Sequence, residues 1–204
     1  MRRYLARQFA KPSGLIGRFL FGPWLDRISR RMNRLALEQL DIQPADRVLE
    51  IGFGGGALLS ALLDAGAQAS GAEISEAMLE RGKRRFGEKV PLVQASAEAL
   101  PLADAAIDKA VSVNSLYFWP DPAGAMAELA RVIRPDGRLV LCFELPEELR
   151  KWPGHRFGFR LFEVEEVKAL MEQAGFGRVR TTWGSGRKPD RFCCLSGARL
   201  GANG

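Results

Sequence analysis

The segment from Val48 to Ala57, VLEIGFGGGA, constrains the fold more than any other part of the chain, because it runs a short apolar stretch directly into a cluster of glycines. Val48, Leu49 and Ile51 suit a central parallel strand. Gly52, Gly54, Gly55 and Gly56 then let the backbone turn tightly and approach a ligand closely. Ala57, Leu58, Leu59, Ala61, Leu62 and Leu63 follow at once, dense enough in apolar side chains for a helix that packs on a sheet and offers free amides at its N-terminus. A strand, a glycine turn and a helix in this order open an α/β sheet with a nucleotide-like ligand at the turn. Gly52, Gly54 and Ala57 also satisfy the dinucleotide fingerprint with alanine at its third position, so a nicotinamide-dependent oxidoreductase is one reading of the turn.

Three later stretches add to it. The run from Gln68 to Ile74 ends in GAEIS and places Glu73 at the tip of a second strand, 21 residues after Gly52, where a carboxylate can accept both hydroxyls of a ribose. Val90 to Val93 reads as a third strand and leads into QASAEALPLADAAID, whose turn can border an adenine edge. Asp108 to Asn114, DKAVSVN, reads as a fourth strand that empties into Tyr117, Phe118 and Trp119 before the Pro120-Asp121-Pro122 break.

VLEIGFGGG, GAEIS, ASAEALPLADAAID, VSVNSLYFWPDP and RVIRPDGRLVL thus occur in one order and at one spacing. With these motifs the chain resembles the class I S-adenosylmethionine-dependent methyltransferases, in the branch that includes the ubiquinone and menaquinone biosynthesis enzymes, over roughly residues 42 to 195. The RPDGRL turn is not something a dehydrogenase needs. Where that family usually carries Cys, Ser or Thr-Gly, this chain has Phe53 and Gly55, so the loop keeps its glycines with altered side chains. The resemblance implies that Glu50 and Gly52 contact the methionine end of S-adenosylmethionine, with Gly54 continuing the turn. It implies further that Glu73 holds the ribose, Ile74 packs on the adenine, Ala97 and Glu98 border the adenine edge, and Asn114 meets the cofactor amino group through its carbonyl or its side-chain amide. It also implies a Rossmann-like, doubly wound sheet of seven strands in the order 3-2-1-4-5-7-6, with strand 7 antiparallel.

The remaining chain completes one domain. Asp121 to Ile133 reads as a helix, Asp136-Gly137 as a turn and Arg138 to Phe143 as a fifth strand. Phe162 to Gly175 reads as another helix. Gly177 to Trp183 and Arg191 to Leu195 read as an antiparallel pair joined by GSGRKPD, and Ser196 to Gly204 as a frayed tail. No run approaches the roughly 18 apolar residues a membrane helix requires. Cys142, Cys193 and Cys194 give no even framework and no metal-ligand spacing, so they read as buried inert thiols, with no metal and a cytoplasmic setting as the default.

The formal charge of +6 is concentrated at one end. Residues 1 to 40 hold nine Lys and Arg against Asp26 and Glu38, a net of +7, which leaves −1 for the other 164 residues. Nucleic-acid binding would spread basic residues along a groove, and so is not expected. Residues 1 to 41 read instead as a basic amphipathic helical arm ahead of a domain at 42 to 204, with Leu15, Phe19, Trp24, Ile28, Met32 and Leu35 among its apolar positions. A lid over the site, a peripheral contact with anionic lipid and a cleavable targeting segment are the three readings of that arm.

Methyl transfer from a sulfonium needs alignment more than it needs a base. If the acceptor is a hydroxyl or an acidic carbon, His155 in KWPGHRFGFRLF and Glu144 at the end of the fifth strand are the candidate bases. Tyr117, Phe118, Trp119 and Trp24 are candidate acceptor-site residues, and Trp152, Phe157 and Phe159 extend that apolar set. The expected activity is methylation of a small organic acceptor, with a lipid or quinone-like acceptor favoured if the arm touches membrane. The alternatives are a nicotinamide-dependent oxidoreductase and a non-catalytic cofactor-binding or RNA-associated module. Acceptor identity and oligomeric state are open at this point.

Overall fold

The computed structural model describes residues 29–151, 153–156, 158–186 and 190–201. Its strands are β1 (Arg47–Ile51), β2 (Gln68–Glu73), β3 (Leu92–Gln94), β4 (Ile107–Val113), β5 (Ile133–Glu144), β6 (Phe176–Ser185) and β7 (Arg191–Arg199). They form one sheet in the order β3-β2-β1-β4-β5-β7-β6. The first five pair in parallel, and β7 runs antiparallel to both β5 and β6. This is the order and direction expected from the resemblance.

The helices are α1 (Arg30–Leu40), α2 (Ala57–Asp64), α3 (Glu76–Phe86), α4 (Pro122–Val132), the single turn α5 (Pro146–Leu149) and α6 (Val164–Gln173). Alternation along the strands divides the core into two layers. Val48, Val111, Val140 and Cys142 face Met32, Ala36, Leu58, Leu62 and Leu79 of α1, α2 and α3. Leu49, Ile51, Ala110 and Leu141 face Met126, Leu129, Val167 and Met171 of α4 and α6. A strand buried on both faces has to read as a near-continuous apolar run, which is why β1 and β4 stand out in the sequence.

Local chemistry sets the helix starts. Ser75 caps α3 by accepting from the Met78 amide, and Lys83, Arg84 and Arg85 occupy its last turn, where the helix dipole favours cations. Asp121 caps α4 by accepting from the Gly124 amide at 3.0 Å, with Pro122 in the first turn.

The structure corrects several boundaries. β5 begins at Ile133 rather than Arg138, because Ile133 already pairs with Ile107. Asp136, expected in a turn, adopts a left-handed φ of 62° within the strand, beside a shift in register between Ile107 and Lys109. The frayed tail starts later than expected, since β7 continues to Arg199 and pairs with β6 as far as Phe176. The cysteines are a further correction. Cys142 lies directly opposite Cys194 in the β5–β7 register, and the two form a disulfide, whereas Cys193 is turned to the other face as a buried free thiol. Register between strands 52 residues apart decides that pairing, and spacing along the chain does not reveal it.

Among the described residues no helix is long and apolar enough to cross a membrane. Residues 1 to 28, with Trp24, lie outside the described residues, as do Trp152, Phe157, the centre of the β6–β7 turn and the end of the tail.

Candidate active site

The candidate residues gather along the carboxyl edge of the sheet, where the strand order reverses direction around β1 and β4 and ligands bind in open α/β sheets. The glycine turn leaves β1 with Gly52 at φ 72° and Gly54 at φ 49°, both left-handed. A Cβ on Gly52 would lie 2.7 Å from Cβ of Ser115, so this position admits no side chain. A Cβ on Gly54 would meet nothing within 4 Å, so the turn presents bare backbone on that side.

Phe53, the departure from the family pattern, is turned inward and is only 3% exposed. A Cβ on Gly71 of β2 would lie 2.6 Å from its ring, and a Cβ on Gly82 of α3 would lie 2.8 Å from it. The ring therefore fills a space that two glycines open. Arg85 adds a second hold from α3, donating to the Gly55 carbonyl at 2.7 Å and to Ser60 Oγ at 2.8 Å. The turn keeps its shape through anchors on its inner side, and the outer side stays clear of bulk.

Glu73 is buried at the end of β2 and joins two turns. Its Oε2 accepts from the Gly54 amide at 3.1 Å and its Oε1 from the Ser75 amide at 2.9 Å. Burial raises its pKa, and the amides of Ser75, Gly54 and Ile74 oppose that rise. Each carboxylate oxygen has a second lone pair. Ile74 follows immediately and is 42% exposed, an apolar surface beside a buried acid. Glu50 is buried on β1, opposite Gly71 and so two positions back from Glu73. A buried acid on β1, a buried acid on β2, bare backbone at Gly54 and an exposed apolar face fit a ligand with an ammonium group, a diol and a planar ring.

Ala97 is buried in the loop after β3. Glu98 is committed within the protein: its carboxylate takes the Ser96 hydroxyl and accepts from the Asp121 amide at 3.3 Å, tying this loop to the start of α4. The loop is also held by two residues that sequence reasoning missed. Glu128 accepts from the Leu100 amide at 2.7 Å, and Arg131 donates to the Leu100 and Leu102 carbonyls at 3.2 and 2.8 Å while pairing with Glu128 and Asp104. Nothing in their helical spacing separates them from a surface pair.

Asn114, at a left-handed φ of 58°, has its side chain engaged at both its nitrogen and its oxygen. Its Nδ2 donates to Ser29 Oγ at 3.1 Å and to Met32 Sδ at 3.3 Å, and its Oδ1 accepts from the Tyr117 hydroxyl at 3.1 Å. The amide nitrogen of the Asn114 side chain is thus committed within the protein, while its backbone carbonyl and the second lone pair of Oδ1 are acceptors. Tyr117 and Trp119 are core residues, and Phe118 is half-buried against Phe159, with ring centroids 4.7 Å apart.

The Tyr117 hydroxyl also accepts from the Glu144 amide. The Glu144 side chain is 6% exposed, and burial together with the nearby Glu148 carboxylate raises its pKa to about 7. Glu148, likewise missed, is held by Lys151 at 2.8 Å and by the Asp190 amide at 3.2 Å. His155 lies in the 3-10 turn Pro153–Arg156, half-buried and beyond α5 in the chain. Glu144 is joined to Asn114 through Tyr117 by its backbone amide, and its carboxylate takes no part in that link.

Comparison with known proteins agrees with this geometry. A methyltransferase domain family matches residues 49–141. The uncharacterized methyltransferase YdaC of Bacillus subtilis is 31% identical over 171 residues, 82% of this chain and 91% of that protein. The demethylmenaquinone methyltransferase of Corynebacterium kroppenstedtii is 34% identical over 118 residues, and the chain spans about half of its length, 49%. The crystal structure of an S-adenosylmethionine-dependent methyltransferase from Aquifex aeolicus superposes with a TM-score of 0.72 at 17% identity, over 97% of this chain and 98% of that one, which speaks to fold. Motifs in register, the sheet order and a relative matched over nearly its whole length converge: the chain belongs to the class I S-adenosylmethionine-dependent methyltransferases.

Proposed function

We propose that this protein transfers a methyl group from S-adenosylmethionine to a small organic acceptor, with the donor held between Glu50, the glycine turn and Glu73. The observation that carries this reading is Glu73, a buried carboxylate that grips the Gly54 and Ser75 amides and so fixes two ligand-facing turns with one group. Glu50 suits the ammonium of the methionine end, Ile74 the adenine face, and Ala97 the adenine edge, with Glu98 holding that edge in place. When bound, S-adenosylmethionine supplies a methyl carbon on a sulfonium, open to in-line attack by a lone pair. The chain aligns the acceptor and takes up its proton.

Glu144 is the proton acceptor in this reading, ahead of His155. With its pKa raised to about 7, it is protonated below neutrality and ionised above it. A base must be ionised to work, so kcat/KM rises with pH through about 7 and levels off above it. Glu144→Gln lowers the plateau by about 100-fold and removes that rise. A Gln variant that keeps the inflection assigns it to another group.

The arm acts as a lid. The support for this is that Ser29 and Met32, at the start of the described residues, are hydrogen-bonded to Asn114 at the end of β4. Tyr117 and Phe118 border the acceptor, Trp119 backs them from the core, and Trp24 is the arm residue proposed to meet it.

Calorimetry with S-adenosylhomocysteine and with NADH tests the reading as a whole. The expected result is binding of the demethylated product and none of NADH; the reverse result overturns it.

A further inference from the structure

Two cations of the segments next to Glu144 are already engaged by other carboxylates, Lys151 by both Glu148 and Asp190 and Arg191 by Glu147 at 3.8 Å. The Tyr117 hydroxyl and the Cys193 thiol are neutral groups, both pushed up by burial, Cys193 to about 12. Among the described residues, no side chain hydrogen-bonds or ion-pairs with the Glu144 carboxylate, although it is more than nine-tenths buried. A carboxylate so largely buried costs free energy unless water, a ligand's donors or a positive charge reaches its oxygens. Beyond the Tyr117 ring lie the half-buried Phe118 and Phe159, which can cover an apolar skeleton.

We propose that the acceptor is an amine, delivered as its ammonium on an aryl or alkyl skeleton, with Glu144 as its counter-ion and proton acceptor. This deepens the methyltransferase reading and rests on it. The ammonium gives one proton to the Glu144 carboxylate, which becomes a neutral acid. The nitrogen lone pair so released forms the new bond to the methyl carbon, while the electron pair of the breaking carbon–sulfur bond stays on sulfur as the thioether. One positive charge enters on sulfur and one leaves on the methylated nitrogen, so charge balances with Glu144 protonated. An anionic acceptor would instead meet an uncompensated like charge in a desolvated site.

The test is calorimetry on the full chain saturated with S-adenosylhomocysteine, at pH 8, with 2-phenylethylamine, 4-ethylphenol and 3-phenylpropionate as probes. The amine is expected to bind about ten- to a hundredfold more tightly than the phenol, and the propionate more weakly than either. Glu144→Gln erases the amine's advantage and leaves S-adenosylhomocysteine affinity unchanged, which also reports that the variant is folded. With the wild-type protein, amine affinity falls about tenfold between pH 8 and pH 6 as Glu144 protonates, while Lys151 and the amine itself stay charged. A phenol or carboxylate that binds as tightly as the amine, an amine preference that survives Glu144→Gln, a flat pH dependence, or no probe bound to the saturated protein overturns the proposal. Failure of the wild-type protein to bind S-adenosylhomocysteine overturns the methyltransferase reading itself, so the two failures are distinct.

Discussion

Glu73→Ala is expected to weaken S-adenosylhomocysteine binding by about 1 to 3 kcal/mol, roughly 5- to 150-fold, measured by calorimetry near pH 7.5. The size follows from what the carboxylate does. In the protein it already accepts from the Gly54 and Ser75 amides, and the proposal gives its remaining acceptor capacity to the ribose hydroxyls. Alanine removes the proposed ribose contacts and leaves the Gly54 and Ser75 amides without their acceptor, so the turn loses its set position as well. Glu73→Gln should fall between, since one oxygen still accepts while the amide nitrogen does not. Affinity within twofold of wild type for the alanine variant would remove Glu73 from the ribose site.

The largest expected loss of stability belongs to a residue that no ligand needs to touch. Phe53→Ala removes a ring that is almost fully buried between Gly71 and Gly82, and truncations of this kind cost about 3 to 5 kcal/mol. For a domain of this size that lowers Tm by roughly 10 °C. The two glycines cannot close on the gap without moving β2 and α3, and those elements carry Glu73 and Arg85. Donor affinity should therefore drop together with Tm, unlike Glu73→Ala, where affinity falls first. Scanning calorimetry with and without S-adenosylhomocysteine separates the two patterns. A Phe53→Ala protein that melts at the wild-type temperature would mean that the ring is not an anchor.

These two residues also mark what the chain discloses on its own. The place of Glu73 at the tip of β2 was legible because strand, acid and turn follow one another along the backbone. The sheet order was legible for a similar reason, as each parallel strand is a short apolar run ending in a motif. Phe53 was visible only as an oddity. The clue to its place was Gly82, a glycine within an otherwise strong helical stretch, EAMLERGKRRF, and its meaning depends on a neighbour 29 positions earlier.

The disulfide between Cys142 and Cys194 and the tie from Arg131 to the Leu100 loop lie further from view. Both depend on which residues face each other across strands or layers, and periodicity carries no record of that. Glu144 was legible as a position at a strand end, whereas its isolation was not, because that depends on Lys151 being held by Glu148 and Asp190.

Asn114 gives the sheet a joint with three arms. One amide meets a hydroxyl and a thioether from α1 on one side and a phenol from the loop after β4 on the other, and that phenol in turn meets the backbone at Glu144. Ser29 and Met32 are thereby tied to the ends of both β4 and β5 by way of a single side chain and the phenol it meets. Removing that amide would release the start of α1 from the sheet edge and leave a buried phenol without its acceptor.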